Sequence, residues 1–332
     1  MLNPNTFVPL KIIASGIALP AHKVLSMDLD KQLNKPNGYV EKRSGISWRY
    51  HASNTDSQAE LAASAIHDAL TRHHIDPASV DALICASAIP VQALPCSAAH
   101  ILASSALHSG IACFDVNASC VSYLSALQIA GGLLTTHQYR RIAIVSADIA
   151  SRGIDWEHEE SSLIFGDGAA CTLVERGDGN SGILAFRLET YPEGLDLCEI
   201  RAGGTRRNPR SGMEPSDFLF HMKGKPLFKM ASAMVEDFME RILSQAGVSL
   251  AQIDTVVPHQ ASHLSLEHMR KRLGVTAEQL VDIYATHGNQ VAASIPSALH
   301  EAIITDRFYG KSHVMLVGTA AGLALSALVL IP

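Results

Sequence analysis

The sequence feature that most constrains the fold is a weak internal repeat. Residues 73–88 (HHIDPASVDALICASA) resemble residues 245–260 (QAGVSLAQIDTVVPHQ), and an amphipathic segment precedes each copy. Further along, short apolar segments at 140–148 and 312–320 also resemble each other, and both end in small residues. Two copies of the order helix, strand, loop and strand predict parallel sheets that are covered by helices.

The repeat divides the chain into a predicted N-terminal half, residues 1–175, and a predicted C-terminal half, residues 176–332. A polar, glycine-containing region at 176–223 begins the second half and is predicted to be a loop. This region also contains several arginines, so it is either a solvated loop or a patch for an anionic ligand or partner.

The composition supports a folded α/β protein and excludes two other classes. Hydrophobic residues make up 47% and charged residues 17% of the chain, which is too apolar for a disordered protein. The net charge of -6 argues against a nucleic-acid-binding protein. Because aromatic residues are only 5%, the core must consist mainly of Ala, Val, Leu and Ile, which suits close packing of helices on sheets.

The uncharged segment 314–332 is long enough for a membrane span. Its glycines, Gly318 and Gly322, favour instead two buried strands that are joined by a glycine-containing turn. The N-terminal segment has no long apolar run, and the six cysteines form no CxxC pair. We therefore expect a cytoplasmic protein with reduced thiols, without a secretory signal or a membrane span.

Common metal and phosphate motifs do not occur. The chain has no HExxH, no GxxxxGK[ST] and no GxGxxG after a strand. The segment FGDGAAC at 165–171 is interpreted as an Asp-Gly turn between two apolar strands. The sequence therefore predicts neither a metal site nor a phosphate-binding loop.

Cys120 is the first candidate catalytic residue. It lies between a strand that ends near Phe114–Val116 and a helical spacing that begins at Val121. At a helix N-terminus the free N–H groups and the helix dipole are expected to lower the pKa of the thiol, as a nucleophile requires. The alternative is an ordinary buried cysteine.

His259 and Asn289 are the other two candidates. His259 directly follows a predicted strand at 253–257, where open α/β sheets bind ligands. Asn289 lies in a turn before a predicted helix near Ala292, where its amide could hydrogen-bond an oxyanion. Each also has a simpler interpretation, a surface histidine and a turn-forming asparagine. Together with Cys120 they suggest thioester chemistry, although spacing alone does not show that they meet.

Several motifs together resemble the β-ketoacyl-acyl carrier protein synthase III family of thiolase-fold condensing enzymes. They span nearly the whole chain in a specific order: KRSGISWRYHA (42–52), DVNASC (115–120), FGDGAA (165–170), FHMKGKPLFKMA (220–231), HQA (259–261), HGNQVAASIP (287–296) and GTAAGL (318–323). The resemblance implies an α/β thiolase-like fold, in which two duplicated βαβαβαββ halves form a five-layered αβαβα sandwich.

The resemblance also implies a mechanism. Cys120 would accept the acyl group, while His259 and Asn289 would hold the malonyl thioester carbonyl during loss of CO2. The backbone N–H groups of Cys120 and Ala321 would form the oxyanion hole. Coenzyme A or phosphopantetheine thioesters would be substrates, with no metal or redox cofactor. Members of this family are homodimers in which the partner closes part of the acyl pocket.

The substrate-binding residues implied by the resemblance are Arg43, Tyr39, Leu94, Gly224, Phe228 and Ser262. Arg43 matches an arginine of the family, whereas Tyr39, Leu94 and Ser262 depart from the family pattern. Tyr39 takes the place of a tryptophan that stacks on the coenzyme A adenine, and Glu159 lies near the position of its arginine partner. Leu94 replaces a large aromatic residue, which would leave room for a longer or branched acyl group. These changes favour a specialised enzyme with a medium-chain or unusual acyl donor.

The acyl carrier protein is the predicted macromolecular partner. A local basic patch could bind this acidic protein: Arg206, Arg207, Lys229, Arg270 and Arg272. An acyltransferase or a non-decarboxylating condensing enzyme of the same fold is one alternative, and a non-catalytic subunit of a heterodimeric synthase is another. Asn289 argues against the simple acyltransferase. The loop at 91–95 has no carboxylate for the non-decarboxylating reaction, and the retained cysteine and histidine argue against a silent subunit.

Overall fold

The computed structural model describes residues 7–332, which form two five-stranded sheets and two short two-stranded sheets. The strands of this range are β1 (Val8–Pro9), β2 (Lys11–Ala18), β3 (Lys23–Leu25), β4 (Trp48–Tyr50), β5 (Ala82–Cys85), β6 (Ala112–Asp115), β7 (Arg141–Asp148), β8 (Gly168–Glu175), β9 (Gly182–Thr190), β10 (Cys198–Glu199), β11 (His221–Met222), β12 (Thr255–Pro258), β13 (Val314–Ala320) and β14 (Ala324–Ile331). The α-helices of the same range are α1 (Ser26–Gln32), α2 (Tyr39–Ser44), α3 (Gln58–Arg72), α4 (Ser97–Ser104), α5 (Ser122–Thr135), α6 (Glu159–Ser162), α7 (Gly224–Ala246), α8 (His263–Leu273), α9 (Tyr284–His287) and α10 (Ser294–Ile304).

The first large sheet has the strand order β2-β8-β7-β5-β6. Strand β5 pairs in parallel with β6 and β7, whereas β8 is antiparallel to β7 and β2. All four residues of β5 are buried, which explains why this strand has a continuous apolar run without alternation. The chain passes through β2, α3, β5, α4, β6, α5, β7 and β8, the order βαβαβαββ that the resemblance implied.

The second large sheet has the order β1-β9-β14-β13-β12. Strands β12 and β13 are parallel, and β14 is antiparallel to β13 and β9. The repeat is incomplete here, because the third strand of this half is reduced to one bridge between Val256 and Leu280. The predicted boundary at 175/176 falls between β8 and β9 and stays a prediction.

The prediction of a loop over 176–223 is wrong in part, because β9 lies inside it and pairs along β14. Because several residues of β9 are polar, the sequence did not indicate a strand here. Glu189 is ion-paired with Arg187 on the same strand and with Arg241 of α7 at 2.8 Å, so these charges lie on a half-buried strand end.

The helices and the two large sheets form the five predicted layers. Helices α5 and α10 lie between the sheets, in one apolar core that contains residues of both. Helices α3 and α4 cover the outer face of the first sheet, and α7 covers that of the second. Small side chains allow the close approach in the centre. A Cβ on Gly131 of α5 would lie 2.6 Å from Cγ1 of Val8, so only glycine fits.

Two local predictions have different outcomes. The segment 314–332 forms β13 and β14, as predicted, and each helix within residues 7–332 is too short or too polar to span a bilayer. The interpretation of 165–171 as a turn between two strands is wrong, because α6 precedes this segment and only β8 follows it.

Candidate active site

Cys120, His259 and Asn289 line one cavity of about 1100 Å³. Cys120 comes from the loop between β6 and α5, and His259 directly follows β12. Asn289 lies just after α9. The structure therefore brings together three residues that lie on separate loops, and the loops of Cys120 and His259 follow the carboxyl ends of the parallel strands β6 and β12.

The Cys120 loop is tightly held ahead of α5. Asn117 Oδ1 accepts a hydrogen bond from the Ser119 N–H at 2.9 Å, and Ser119 has a left-handed backbone with φ 53°. Ser122 Oγ accepts the Ala118 N–H at 2.9 Å. These contacts fix the loop so that the thiol of Cys120 is partly accessible from the cavity.

The predicted lowering of the Cys120 pKa is wrong. Burial raises the pKa of this thiol to about 11, and the nearby Asp148 charge raises it further. The helix N-terminus does not compensate, since the first amides of α5 are already used. Val121 N donates to Ala118 O at 3.3 Å, and Ser122 N donates to Ser119 O at 3.1 Å. Cys120 is therefore an uncharged thiol in the resting protein.

Ala321, the other residue of the predicted oxyanion hole, lies beside Cys120. It is in the turn between β13 and β14, where Gly322 has φ 76°. The Ala321 N–H points at the Cys120 sulfur, and this amide and that of Cys120 itself both lower the pKa of the thiol. The two N–H groups thus lie near the sulfur, and their role as an oxyanion hole stays a prediction.

His259 is buried and uncharged. Its side chain is 5% exposed, and burial lowers the pKa of the imidazole to about 4. Within residues 7–332, Nδ1 has no hydrogen-bond partner. Gly318 on β13 permits the close approach of this histidine to the start of α5, since a Cβ there would lie 2.9 Å from the His259 Cβ and 3.2 Å from Val121 Cγ1.

Asn289 is fixed by bonds to the neighbouring loops and is 7% exposed. Its Oδ1 accepts the Val291 N–H at 2.9 Å, and its Nδ2 donates to Ala261 O at 3.3 Å. Because Ala261 is two residues after His259, this bond joins the two loops directly. The second Nδ2 hydrogen can serve a ligand in the cavity.

Four of the six predicted substrate-binding residues line the cavity: Arg43, Gly224, Phe228 and Ser262. The other two do not. The Tyr39 hydroxyl donates to Glu159 Oε2 at 2.7 Å, and Lys35 is ion-paired with the other oxygen of Glu159. Leu94 is 83% exposed and does not line the cavity of its own chain.

The predicted basic patch is largely neutralised. Arg206 pairs with Glu199 at 2.9 Å, Arg270 pairs with Glu267 at 3.3 Å, and Arg272 pairs with Glu236. Arg206 and Arg272 also line the cavity, Lys229 is exposed and Arg207 is half-buried. A carrier protein would have to compete with these surface ion pairs.

Sequence reasoning missed several residues around the site. Asp148 at the end of β7 accepts hydrogen bonds from two site loops, and Asn117 and Cys198 line the cavity. Phe165 and Phe220 form an edge-to-face pair at 4.8 Å in its wall. For these missed residues the sequence offered one signal, which is that Asp148 is a carboxylate at the end of an apolar strand. Nowhere in residues 7–332 do three or more His, Cys, Asp or Glu side chains converge to hold a metal ion.

Comparison with known proteins identifies the relatives of this chain. Residues 114–192 match the family model 3-Oxoacyl-[acyl-carrier-protein (ACP)] synthase III, and residues 243–331 match the model of its C-terminal part. The chain is 30% identical to β-ketoacyl-[acyl-carrier-protein] synthase III of Neisseria meningitidis serogroup B, over 96% of this chain and 98% of the relative.

Solved structures are also similar over nearly the whole chain. The 3-oxoacyl-[acyl-carrier-protein] synthase III of Aquifex aeolicus VF5 has a TM-score of 0.85 at 27% identity, with 97% of this chain and 100% of that chain covered. The enzyme of Thermus thermophilus has a TM-score of 0.86 at 29% identity, with 97% and 98% covered.

Proposed function

The chain belongs to the 3-oxoacyl-[acyl-carrier-protein] synthase III family of thiolase-fold condensing enzymes, which are acyltransferases, and we propose that it joins an acyl thioester to a malonyl thioester with loss of CO2. The observation that supports this proposal most strongly is that Cys120, His259 and Asn289 line one cavity. The chemistry divides into acyl loading on the thiol and decarboxylative condensation beside it.

In the loading step, the Cys120 sulfur attacks the carbonyl carbon of the acyl thioester. A new thioester forms, the bond to the donor sulfur breaks, and the thiol proton leaves with the released donor thiol. The N–H groups of Cys120 and Ala321 stabilise the negative oxygen of the tetrahedral intermediate. Because the resting thiol has a pKa of about 11, little thiolate is present beforehand, so the sulfur must lose its proton as it attacks while the two amides stabilise the oxyanion.

In the condensation step, His259 and Asn289 donate hydrogen bonds to the carbonyl oxygen of the malonyl thioester. The low pKa of His259, about 4, keeps the imidazole neutral, so the proposed bond requires the tautomer that carries its proton on Nε2. As CO2 leaves, the electron pair moves onto the α-carbon and the carbonyl oxygen, where these donors stabilise it. The carbanion then attacks the acyl group, and Cys120 is released as the leaving group. This route needs no metal or redox cofactor.

The acyl donor is proposed to be a medium-chain or otherwise unusual acyl group. A cavity of about 1100 Å³ exceeds what an acetyl group and its carrier arm require, and apolar side chains such as Phe165 and Phe220 form part of its wall. Glu159 and Tyr39 bond to each other and to Lys35, so they are not free to hold an adenine between them. This arrangement favours delivery by a phosphopantetheine arm on a carrier protein over coenzyme A.

Three further features complete the proposal. The partner is an acyl carrier protein, as the names of the relatives state for those enzymes, and it would contact the surface around Arg206 and Arg272. The assembly is a homodimer, because β6 is an edge strand with half-buried residues that a second copy can pair with. The site is proposed to work in the cytoplasm.

The test is formation of a 3-oxoacyl thioester and CO2 from an acyl thioester panel and a malonyl thioester. We expect product with donors longer than acetyl, and a mass increase of one acyl group on the protein. Cys120→Ala should abolish both, whereas Cys171→Ala, which removes a buried thiol of the first sheet, should retain both. Loading by acetyl alone would contradict the proposed donor class, and product from Cys120→Ala would contradict the mechanism.

A further inference from the structure

Asp148 is a fully buried carboxylate that holds two loops together. Its Oδ1 accepts the Ile89 N–H at 2.9 Å and the Ala88 N–H at 3.2 Å. Its Oδ2 accepts the Ala292 N–H at 3.0 Å and the Ala88 N–H at 3.3 Å. These amides belong to the loop after β5 and to the short helical turn before α10, which are far apart in the chain.

One of these connections leads to Asn289. Ala292 is in the 3-10 turn Val291–Ala293, and the N–H of Val291 is bonded to Asn289 Oδ1 at 2.9 Å. Asp148 therefore fixes the segment whose first amide orients the Asn289 side chain.

The other connection leads to Cys120. Ala88 O accepts a hydrogen bond from Asn117 Nδ2 at 2.9 Å, and Asn117 Oδ1 accepts the Ser119 N–H at 2.9 Å. Ser119 is directly followed by Cys120. One carboxylate is thus joined by short hydrogen-bonded paths to the nucleophile and to a proposed carbanion-stabilising residue.

The surroundings of Asp148 include a titratable group of the site, the Cys120 thiol. The titratable groups that face it are Cys85 at the end of β5, Asp167 ahead of β8, and Cys120. The loop at Ala88 and the turn Val291–Ala293 carry no titratable side chain. Burial raises the pKa of Asp148 to about 7, and its charge raises the pKa of the Cys120 thiol.

We propose that Asp148 is a positioning residue that sets the distance between Cys120 and Asn289 by holding the amides of Ala88, Ile89 and Ala292. This inference rests on the proposed function, because it assigns Asp148 a role in the same reaction. The carboxylate contacts no substrate. It acts by accepting hydrogen bonds from backbone N–H groups with both of its oxygens. An amide side chain of the same shape has only one oxygen that can accept them.

The variant that tests the proposal is Asp148→Asn. In either orientation, its NH2 group faces an N–H, that of Ala292 or that of Ile89, so one buried donor loses its acceptor. We expect kcat for condensation to fall about 10- to 100-fold, while KM for the malonyl thioester changes by less than about threefold. Loss of the negative charge should also make iodoacetamide alkylate Cys120 at least about twofold faster at about pH 9, where the wild-type Asp148 carboxyl, with a pKa of about 7, is ionised.

The matched control is Asp81→Asn. Asp81 directly precedes β5 and bonds to the start of β7, whereas Asp148 is the last residue of β7. Asp81 accepts the Arg140 N–H at 2.8 Å and the Arg141 N–H at 3.0 Å. It has the same backbone-bridging role without a path to the site, so we expect wild-type kcat and a wild-type alkylation profile. Asp148→Glu keeps the charge but displaces the oxygens, so it should lower kcat and leave the alkylation profile unchanged.

Wild-type kcat in both Asp148 variants would overturn the positioning role, as would an equal loss in Asp81→Asn. If Asp148→Asn does not fold, Asp148→Glu decides, because its kcat must fall while its alkylation profile stays that of the wild type. If the wild-type protein forms no 3-oxoacyl product, the proposed function fails. In that case the alkylation rates still test the link between Asp148 and Cys120, and equal rates in Asp148→Asn would overturn it.

Discussion

Replacing Gly318 with alanine should impair decarboxylation more than acyl loading. The added Cβ would lie 2.9 Å from the His259 Cβ, and 3.2 Å from both Ile295 Cδ1 and Val121 Cγ1. Since carbon atoms pack at about 3.5–4.0 Å, His259 must move by about 0.6–1 Å, and the Val121 contact requires only about half of that. Gly318 is held in place by strand pairing with Ser326 of β14. The histidine side chain must therefore make most of the movement.

The magnitude follows from the geometry. A misplacement of about 1 Å in a catalytic group can cost about 100-fold in rate, so we expect CO2 release to fall about 10- to 100-fold. Acyl loading depends on Cys120 and the Ala321 amide, and should change by less than about fivefold because the shift at Val121 is smaller.

The assay separates the two half-reactions. Intact mass measures the rate of acyl addition to the protein, and release of labelled CO2 from a malonyl thioester measures decarboxylation. Gly132→Ala is the matched control, because no atom lies within 4 Å of a Cβ at Gly132 in α5. Equal losses in both half-reactions, or unchanged decarboxylation in a folded Gly318→Ala protein, would refute the proposed role of His259.

Two further predictions concern the thiol and the packing of the first sheet. With a pKa of about 11, Cys120 should react with iodoacetamide about 100-fold more slowly at pH 7 than a thiol of pKa 9.0, and about tenfold faster per pH unit up to pH 10. A rate that levels off below pH 9, followed by peptide mass, would contradict burial as the dominant effect. Gly16→Ala would place a Cβ 2.6 Å from Ala65 O and still closer to Ala69 N, backbone atoms of α3, so urea unfolding should show a loss of about 1–3 kcal/mol or more. Unchanged stability would mean that α3 can move away from β2.

The architecture could be predicted from the sequence because the patterns that indicate its strands and helices are local or repeated. The buried strand β13 has a continuous apolar run, and the turn at Gly322 separates it from β14. The duplicated order of elements then predicted parallel sheets that are covered by helices, and the family resemblance implied the helix layer between them. Strand β9 was missed because Arg187 and Glu189 give it a polar appearance that only their ion pairs explain.

The sequence pointed to three residues that the structure brings into one cavity, and their catalytic roles stay predictions, whereas the electrostatics of the thiol was predicted wrongly. A helix N-terminus beside Cys120 indicated a low pKa, yet burial dominates and the first amides of α5 are bonded to loop carbonyls. Desolvation depends on atoms from both halves of the chain, which no local pattern reveals. The same reason explains why Asp148 was not identified as a candidate, since its importance comes from amides of two distant loops.

The central claim is that Cys120 carries the acyl group that the malonyl carbanion attacks. The most direct measurement is a chase experiment on the isolated acyl-protein. The protein is first incubated with a medium-chain acyl thioester, and peptide mass spectrometry then locates the adduct before and after addition of a malonyl thioester. We predict one acyl group on Cys120, which disappears as one equivalent of CO2 and one 3-oxoacyl thioester form. An adduct on another residue, or an adduct on Cys120 that persists while CO2 is released, would contradict the account.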